Sequence, residues 1–216
     1  MLRKYLPHAL IFAGAFIIAV ALYQKVSTTY YQNKLVEEYD TYISSLDSGE
    51  PESEKSKAAE EEFAEADPEH GEKPQEESPV DKYLKGKEIS GTIEIPKLGV
   101  KAAILEGTDD RALKYTVGHY PQTAPGEKGN CVLLGHRNYV YGHFFRRIDE
   151  LKTGDEVIIR KDTHTYTYLI TESFVVKPEE VWVLDSTGDA LLTMITCTPM
   201  LTYTDRLVVR GILSEQ

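Results

Sequence analysis

Two apolar runs near the end of the chain constrain its fold most strongly. Residues 191–195 form the first run, and Arg206 opens the second, which extends through residues 206–213. Short apolar runs bounded by polar residues and proline are typical of buried β-strands. Cys197 would then end one strand and Arg206 would begin the next. A fixed positive charge near a thiol favours the thiolate, which is the nucleophilic form of cysteine.

The chain from residue 89 onward alternates short apolar runs with turn residues. Five more strands are predicted, at residues 91–95, 98–105, 131–134, 156–160 and 165–176. Short helices are predicted at residues 108–117 and 141–151, and a loop is predicted at residues 118–130. Several short strands at close spacing with few helices predict an all-β-dominated domain, a mostly antiparallel barrel or sandwich.

The net charge of -11 is concentrated in one stretch of the chain. Residues 47–79 hold 13 Asp and Glu against 3 Lys, whereas residues 80–216 hold 19 acids against 17 Lys and Arg. The acidic stretch cannot bury enough apolar surface to offset the entropy of ordering, so it is predicted to be a disordered linker. The near-neutral remainder has no basic face that would bind nucleic acid.

The N-terminal residues 1–25 predict a membrane anchor. Arg3 and Lys4 precede 20 uncharged and mostly apolar residues, which as a helix would span about 30 Å, the thickness of a hydrocarbon core. Positive charge ahead of the span keeps the N-terminus cytoplasmic and the rest extracellular. The small-x-small pattern at residues 19–21 leaves a cleaved signal peptide as the alternative. Residues 26–46 predict either an amphipathic stalk, because their apolar residues are close to helical spacing, or a partly ordered linker.

The sequence around Cys197 resembles the active-site signature of the sortases, membrane-anchored cysteine transpeptidases of Gram-positive bacteria. That signature is a Leu-Thr-x-x-Thr-Cys run, here ending at Cys197, with an Arg nine residues later, here Arg206. The family's other mark is a histidine in a Leu-Gly-His setting, which here is His136, 61 positions before Cys197. The resemblance covers roughly residues 88–213 and implies a closed antiparallel eight-stranded β-barrel with short helices, as the domain at residues 80–216.

The resemblance also implies the roles of particular residues. Cys197 would be the nucleophile, His136 the general acid and base, and Arg206 the group that stabilises the oxyanion. Thr196 either helps to build the oxyanion site or is an ordinary β-branched strand residue. Trp182, in the long connection after the 165–176 strand, is either a wall of the substrate groove or a residue of the core.

Other residues compete for these roles. His143 and His119 are the alternative acid–base histidines, but neither has the strand-end setting of His136. Arg210 is the alternative cation, although it lies four residues deeper in its strand than Arg206. Cys131, in a fully apolar run, is predicted to be a small buried hydrophobe, because a disulfide with Cys197 would consume the nucleophile.

The implied reaction is covalent catalysis in two steps. The thiolate would cleave an LPxTG-like sorting signal after Thr, and an amine of the peptidoglycan precursor would release the thioacyl enzyme. The implied partners are sorting-signal proteins, this amine and the membrane. No cofactor or metal is predicted, because no Cys/His cluster has ligand spacing. A cysteine peptidase that only hydrolyses and a non-enzymatic wall-binding barrel are the rival functions.

Within the family, the chain is most similar to class D, with class C as the alternative. Thr-Cys-Thr-Pro at residues 196–199 is similar to the pilus-assembling class C. That class usually adds an aromatic lid residue after Asp-Pro and a C-terminal membrane helix. Here Asp67-Pro68 is followed by Glu69, and the sequence ends at Gln216 soon after its last predicted strand. These differences favour class D.

Overall fold

The structure is a computed structural model that describes residues 2–47, 89–137 and 143–214. The predicted acidic linker lies outside these ranges apart from Asp47, and so does the predicted catalytic domain up to residue 88. The described elements are α1 (Leu2–Asp47), β1 (Ile89–Ile95), β2 (Val100–Glu106), α2 (Asp110–Tyr115), β3 (Val117–Tyr120), β4 (Gly129–Leu134), β5 (Glu156–Lys161), β6 (His164–Val176), β7 (Ala190–Thr198) and β8 (Asp205–Leu213).

The eight strands close into a barrel in the order β1-β2-β3-β4-β7-β8-β6-β5. The predicted closed eight-stranded barrel is therefore confirmed. The prediction of an antiparallel barrel is wrong for two of the pairs, because β2 with β3 and β4 with β7 run parallel. A crossover connection causes each exception: α2 lies between β2 and β3, and the hairpin of β5 and β6 lies between β4 and β7. Each crossover returns the chain to the end of the barrel at which the previous strand began.

Two local predictions need correction. Strand β3 lies largely within residues 118–130, which were predicted to be a loop. Its sequence Val-Gly-His-Tyr has no apolar alternation, yet its first three residues are buried between β2 and β4. In the described part of the helix predicted at residues 141–151, the chain instead forms the 3₁₀ turns His143–Phe145 and Ile148–Glu150. The helical spacing there reflects apolar side chains packed on the barrel, where short turns bury them without a continuous helix.

The interior of the barrel is filled by the inward-facing side chains of the strands. Cys131 is among them, fully buried, as predicted. Burial raises the pKa of its thiol to about 12. The interior also contains Tyr168, whose buried hydroxyl accepts a hydrogen bond of 2.7 Å from the Gly126 N–H. The thiol of Cys131 is therefore protonated and sealed from solvent at neutral pH.

A second apolar cluster covers the outer face of β4, β7, β8 and β6. Its buried members are Val132, Val176, Val183, Ile195 and Val208. Val183 belongs to the connection between β6 and β7, which contains the 3₁₀ turn Val181–Leu184 and packs over this face. This connection, residues 177–189, therefore borders one end of an apolar surface on the outside of the barrel.

Buried hydrogen bonds hold that connection in place. The Asn130 amide group donates to the carbonyls of Val183 (2.9 Å) and Asp185 (3.1 Å), and its oxygen accepts from the Thr193 hydroxyl (2.6 Å). Asn130 and Thr193 are both fully buried. Buried polar groups of this kind favour one conformation, because breaking any bond would leave a desolvated donor or acceptor.

Helix α1 runs through both the predicted anchor and the predicted stalk. Leu35 and Val36 bury against Ala103 of β2. The Tyr39 hydroxyl accepts a hydrogen bond of 2.7 Å from the N–H of Asp162, whose backbone is left-handed. Asp40 forms an exposed ion pair with Lys101 at 3.0 Å. The helix thus docks on β1 and β2, which lie four and three strands from β7 around the barrel. Within the described residues, no helix combines the length and the apolarity needed to cross a membrane.

Candidate active site

The parallel pair β4 and β7 aligns His136 with Cys197. Leu134 lies opposite Ile195 in the register of this pair. The ladder continues beyond β4, because the Gly135 N–H donates to the Ile195 carbonyl at 3.2 Å. His136 and Cys197 each lie two residues beyond the Leu134–Ile195 pair. The histidine and the cysteine singled out from the sequence therefore leave neighbouring strands at the same end of the barrel.

The antiparallel pair β7 and β8 adds the third candidate. Cys197 lies directly opposite Arg206. Cys197 and Arg206 have the same strand parity as Ile195 and Val208, which belong to the outer apolar cluster, so all four project from the outer face. Cys197, Arg206 and His136 are each partly exposed. The structure thus gathers the three predicted catalytic residues on three adjacent strand ends.

Close packing explains why glycine precedes His136. A Cβ added to Gly135 would lie 2.7 Å from Cδ2 and 2.8 Å from Cγ of the Phe145 ring. Phe145 is fully buried in the barrel core at the end of the 3₁₀ turn His143–Phe145. Glycine therefore lets the aromatic ring close this end of the core beneath the backbone that carries the histidine.

Backbone carbonyls orient the guanidinium of Arg206. Its Nη1 donates to the carbonyls of Tyr203 (3.2 Å) and Asp205 (3.0 Å) in the turn between β7 and β8. The Asp205 carboxylate is engaged by Lys177 at 2.5 Å, and this bond lowers the pKa of Asp205. The charge of Arg206 is thus held at the rim by neutral acceptors, which leaves it suited to a developing oxyanion.

The alternative residues are occupied elsewhere. Arg210 donates to the Val183 carbonyl at 3.3 Å and lies 5.3 Å from the ring centroids of both Phe174 and Trp182. It therefore supports the connection at residues 177–189 rather than the end of the strand. His119 is buried, and its two ring nitrogens contact Glu106 and a backbone carbonyl.

The contacts of His119 assign it a structural role. Its Nδ1 lies 2.8 Å from a carboxylate oxygen of Glu106, and its Nε2 lies 3.0 Å from the carbonyl of Thr123. The ring therefore lies between a carboxylate on one side and a backbone carbonyl on the other. His119 thereby ties the loop after β3 to β2. His143, the other alternative, begins a 3₁₀ turn in the connection after β4.

The two predicted substrate-site residues have different settings. Thr196 is buried on the inner face, and its hydroxyl donates to the Gly135 carbonyl at 2.7 Å. That hydroxyl ties the cysteine strand to the histidine strand, so an oxyanion contact from Thr196 would have to come from its backbone. Trp182 is 46% exposed and stacks on Phe174 with ring centroids 5.7 Å apart. It therefore stands at the edge of the outer cluster rather than within the barrel core.

Two residues with buried polar contacts escaped the sequence analysis. Asn130 directly precedes the apolar run of β4, and a polar residue at that edge was the signal that could have revealed a buried network. Arg137 follows His136 directly and is only 9% exposed, with its guanidinium bonded to Thr198 and Asp149. A charged residue beside a candidate catalytic histidine was the corresponding signal. Within the described ranges, no group of three or more His, Cys, Asp or Glu residues could hold a metal ion.

A partly exposed thiol, a histidine on one neighbouring strand end and a guanidinium on the other form a site suited to acyl transfer by a cysteine enzyme. The family model for the sortase domain matches residues 93–214. The chain belongs to the sortase family.

Similar proteins agree with this assignment. Sortase D of Bacillus subtilis is 35% identical over 114 residues, covering 52% of this chain and 56% of that protein. The structure of a Clostridium perfringens Sortase D5 transpeptidase matches with 31% identity and a TM-score of 0.60, covering 86% of this chain and 99% of that one. A structure of Clostridium perfringens sortase C with a C-terminal cell wall sorting motif matches with 32% identity and a TM-score of 0.54, covering 60% of this chain and 72% of that one. The chain spans little more than half the length of the curated relatives it matches.

Proposed function

We propose that this chain is a transpeptidase that cleaves an LPxTG-like sorting signal after Thr and joins the surface protein to an amine of the cell-wall precursor. The observation that carries the proposal is the register at the rim of the barrel. It places Cys197 directly opposite Arg206 and in line with His136. This arrangement disfavours a non-enzymatic barrel, in which there would be no reason for the three residues to meet.

The chemistry proceeds through a covalent intermediate. The Cys197 thiolate attacks the carbonyl carbon of the scissile peptide bond, and Arg206 stabilises the oxyanion that forms. His136 gives a proton to the departing amine as the carbon–nitrogen bond breaks, which leaves a thioester on Cys197. The acceptor amine then attacks the thioester and loses its proton to His136, and the thiolate departs. The proton that His136 gives to the departing amine is thus replaced by a proton from the acceptor amine.

The apolar surface below the site supports a peptide substrate with apolar side chains. Leu134 and Leu184 are partly exposed where they pack on the buried outer cluster beside the site. The connection with the exposed Trp182 borders this surface and is held by buried hydrogen bonds. A bound sorting signal would lie over this cluster with its scissile carbonyl at Cys197. The solved sortase C with a sorting motif supports the same class of ligand.

Among the sortase classes, we favour class D. The similarity to Sortase D of Bacillus subtilis and to the Sortase D5 structure supports this choice. A class C enzyme that polymerises pilins is the alternative, since class C structures also match and Thr-Cys-Thr-Pro is similar to that class. A cysteine peptidase would use the same residues with water as the acceptor, so only the product distinguishes it.

The proposal includes a position at the cell membrane, with residues 1–25 as a single-pass anchor, the N-terminus cytoplasmic and the barrel extracellular. Arg3 and Lys4 precede the uncharged run, which is the charge pattern of that orientation. The large side chains along this part of α1 are exposed to solvent, including Leu10, Ile11, Phe12, Phe16, Ile17 and Ile18. A surface of this composition is suited to lipid.

Product analysis tests the proposed reaction. The full-length protein is incubated with a peptide containing Leu-Pro-x-Thr-Gly, with and without a primary amine, beside the Cys197→Ala variant. We expect a Thr–amine adduct from the wild type and none from Cys197→Ala, with products identified by mass. Hydrolysis alone at high amine concentration would favour the peptidase. The absence of cleavage across a panel of such signals would contradict the proposed substrate class.

A further inference from the structure

Arg137 is a buried cation beside the proposed active site for which the reaction has no direct use. It follows His136 in the chain, and only 9% of it is exposed. Removing an arginine from water is costly unless its donors are bonded, so a buried arginine usually holds specific partners in place.

The guanidinium of Arg137 bonds to three separate places. Nη1 donates to the Thr198 hydroxyl oxygen at 2.8 Å, Nη2 pairs with an Asp149 carboxylate oxygen at 2.8 Å, and Nε donates to the Arg146 carbonyl at 3.1 Å. Thr198 ends β7, whereas Arg146 and Asp149 belong to the segment of 3₁₀ turns that follows β4. One side chain therefore connects the end of the cysteine strand to the segment that closes the barrel core.

The position of these bonds is what relates them to the chemistry. Arg137 is the neighbour of His136, and Thr198 is the neighbour of Cys197. The Nη1 bond thus joins the segment that follows β4 to the end of β7, one residue beyond the proposed catalytic pair. On the other side of the pair, Thr196 donates to the Gly135 carbonyl at 2.7 Å. His136 and Cys197 are therefore bracketed by a cross-strand hydrogen bond before them and another after them.

We propose that Arg137 is a positioning residue that holds His136 in register with Cys197, an inference that rests on the proposed function of these two residues. The register of β4 and β7 ends at Leu134 and Ile195, followed by the bond from the Gly135 N–H to the Ile195 carbonyl. The side-chain bond from Arg137 to Thr198 replaces that pairing where the reaction takes place. Proton transfer between thiol and imidazole depends on their separation, and a displacement of about 1 Å can reduce the rate about a hundredfold.

Arginine is suited to this role in a way that lysine is not. The planar guanidinium directs its donors at three fixed angles, which here meet a hydroxyl, a carboxylate and a carbonyl. A lysine ammonium keeps the charge but presents its donors from one point at the end of a flexible chain. Arg137→Lys therefore retains the positive charge beside the site but loses the bond to the Thr198 hydroxyl. The variant thus distinguishes a positioning role from an electrostatic one.

Arg147 offers a matched control. It lies in the segment that Arg137 contacts, and its guanidinium makes two bonds of 2.6 Å to Glu150. Unlike Arg137, its side chain is 48% exposed, and its partner follows three residues later in the chain. Arg147→Lys consequently makes the same chemical change in that segment without affecting the link between the two strands.

The test uses four full-length variants: Arg137→Lys, Thr198→Val, the double variant and Arg147→Lys. Thr198→Val removes the hydroxyl oxygen that accepts the bond from Arg137 while keeping a β-branched side chain. Peptide transfer gives kcat and KM, and iodoacetamide gives the rate of Cys197 alkylation against pH without any substrate. Cys131 does not interfere with alkylation, because it is fully buried and its pKa is raised to about 12. Melting temperature and the fraction of titratable thiol report on folding.

We expect Arg137→Lys to lower kcat about ten- to a hundredfold with KM changed less than about threefold, and to shift the pH profile of alkylation. Thr198→Val should do the same to a smaller extent, and the double variant should lose little more than Arg137→Lys alone, because both changes break one bond. Arg147→Lys should stay within about twofold of the wild type.

Wild-type kcat and an unchanged pH profile in Arg137→Lys would overturn the inference. So would a loss of activity explained entirely by a smaller fraction of titratable thiol, since that is destabilisation without a change of position. A misfolded Arg137→Lys leaves Thr198→Val as the decisive variant, and unchanged kcat there would also overturn the inference. Failure of the wild type to transfer any sorting peptide would instead contradict the proposed function.

Discussion

The inner and outer faces of β4 and β7 place one cysteine each in opposite chemical environments. Cys131 points into the barrel, lies opposite Leu192 and is fully buried. Cys197 projects from the outer face, lies opposite Arg206 and is partly exposed. The two thiols belong to adjacent strands of a single sheet, so strand type alone does not distinguish them. Their difference in exposure comes from the face of the sheet to which each side chain points and from the position of each residue along its strand.

The alternation of side chains between the inner and outer faces of the barrel therefore decides which thiol is accessible. A thiolate inside the barrel would have no solvent and no bonded cation, and burial accordingly raises the pKa of Cys131 to about 12. At the rim, Cys197 is partly exposed opposite Arg206 while the barrel interior stays closed. The same pleat thus supports a stable core on one face and a reactive site on the other.

Exchanging sulfur for oxygen at each cysteine is expected to give opposite results. Cys197→Ser should reduce transpeptidation at least about a thousandfold, because the serine hydroxyl is a poor nucleophile in a site built for a thiol. Its free energy of unfolding should change by less than about 0.5 kcal/mol, as is usual at partly exposed positions. Peptide transfer and urea unfolding of the full-length protein measure the two quantities.

Cys131→Ser is the matched control for that experiment. A hydroxyl in the apolar barrel interior should cost about 1–3 kcal/mol of stability, because it loses its bonds to water. Activity well below the melting temperature should stay within about twofold of the wild type. A large activity loss in Cys131→Ser with an intact fold would mean that the two faces are not chemically independent.

The boundary between the two faces can be tested at Gly135. Gly135→Ala would place a methyl group 2.7 Å from the Phe145 ring, so the ring or the backbone must shift. We expect a loss of about 1–3 kcal/mol of stability, as for other overpacked core positions, together with lower activity from a displaced His136. Gly188→Ala is the control, since a Cβ there meets no atom within 4 Å. Equal thermal stability of the two variants would contradict this explanation.

The smallest expected effect is alkaline destabilisation through Cys131. Its pKa is raised from 9.0 to about 12 in the folded protein. Between those values the unfolded chain releases the thiol proton while the folded chain keeps it, so stability falls by about 1.4 kcal/mol per pH unit. Below pH 9 both states retain the proton and this contribution is constant. Urea unfolding at pH 8 and pH 10 should therefore show the wild type losing about 1.4 kcal/mol more than Cys131→Val, and equal losses would refute this account.

Local pattern was sufficient for most of the strands. The two runs that flank the turn after Cys197 form β7 and β8, and the hairpin predicted from residues 156–160 and 165–176 is β5 with β6. These strands have apolar runs or alternation, and polar or Pro-containing turns separate them, so the signal lies within a few residues. The short helix predicted at residues 108–117 is present as α2.

The elements that were missed depend on distant partners. Strand β3 is a strand because β2 and β4 pair with its backbone, although Val-Gly-His-Tyr carries no strand pattern. The segment at residues 141–151 has helical spacing but forms short turns against the barrel. In both cases tertiary pairing or packing overrides local propensity, which is a weak influence by comparison.

The sequence by itself determined which residues are candidates for chemistry. Cys197, Arg206 and His136 were found from short motifs, their spacing and their positions at the ends of predicted strands. Sequence pattern also indicated a β-rich domain with one reactive and one buried cysteine. These properties are local, so they can be read along the chain.

The tertiary structure decided how those residues meet. Parallel pairing of β4 with β7 brings His136 beside Cys197 although 61 positions separate them. The bond from Arg137 to Thr198 exists only once that pairing has formed. The docking of α1 opposite β7 likewise depends on barrel closure. Contacts between strands far apart in the chain are selected by the packing of the whole barrel, and no short stretch of sequence contains that information.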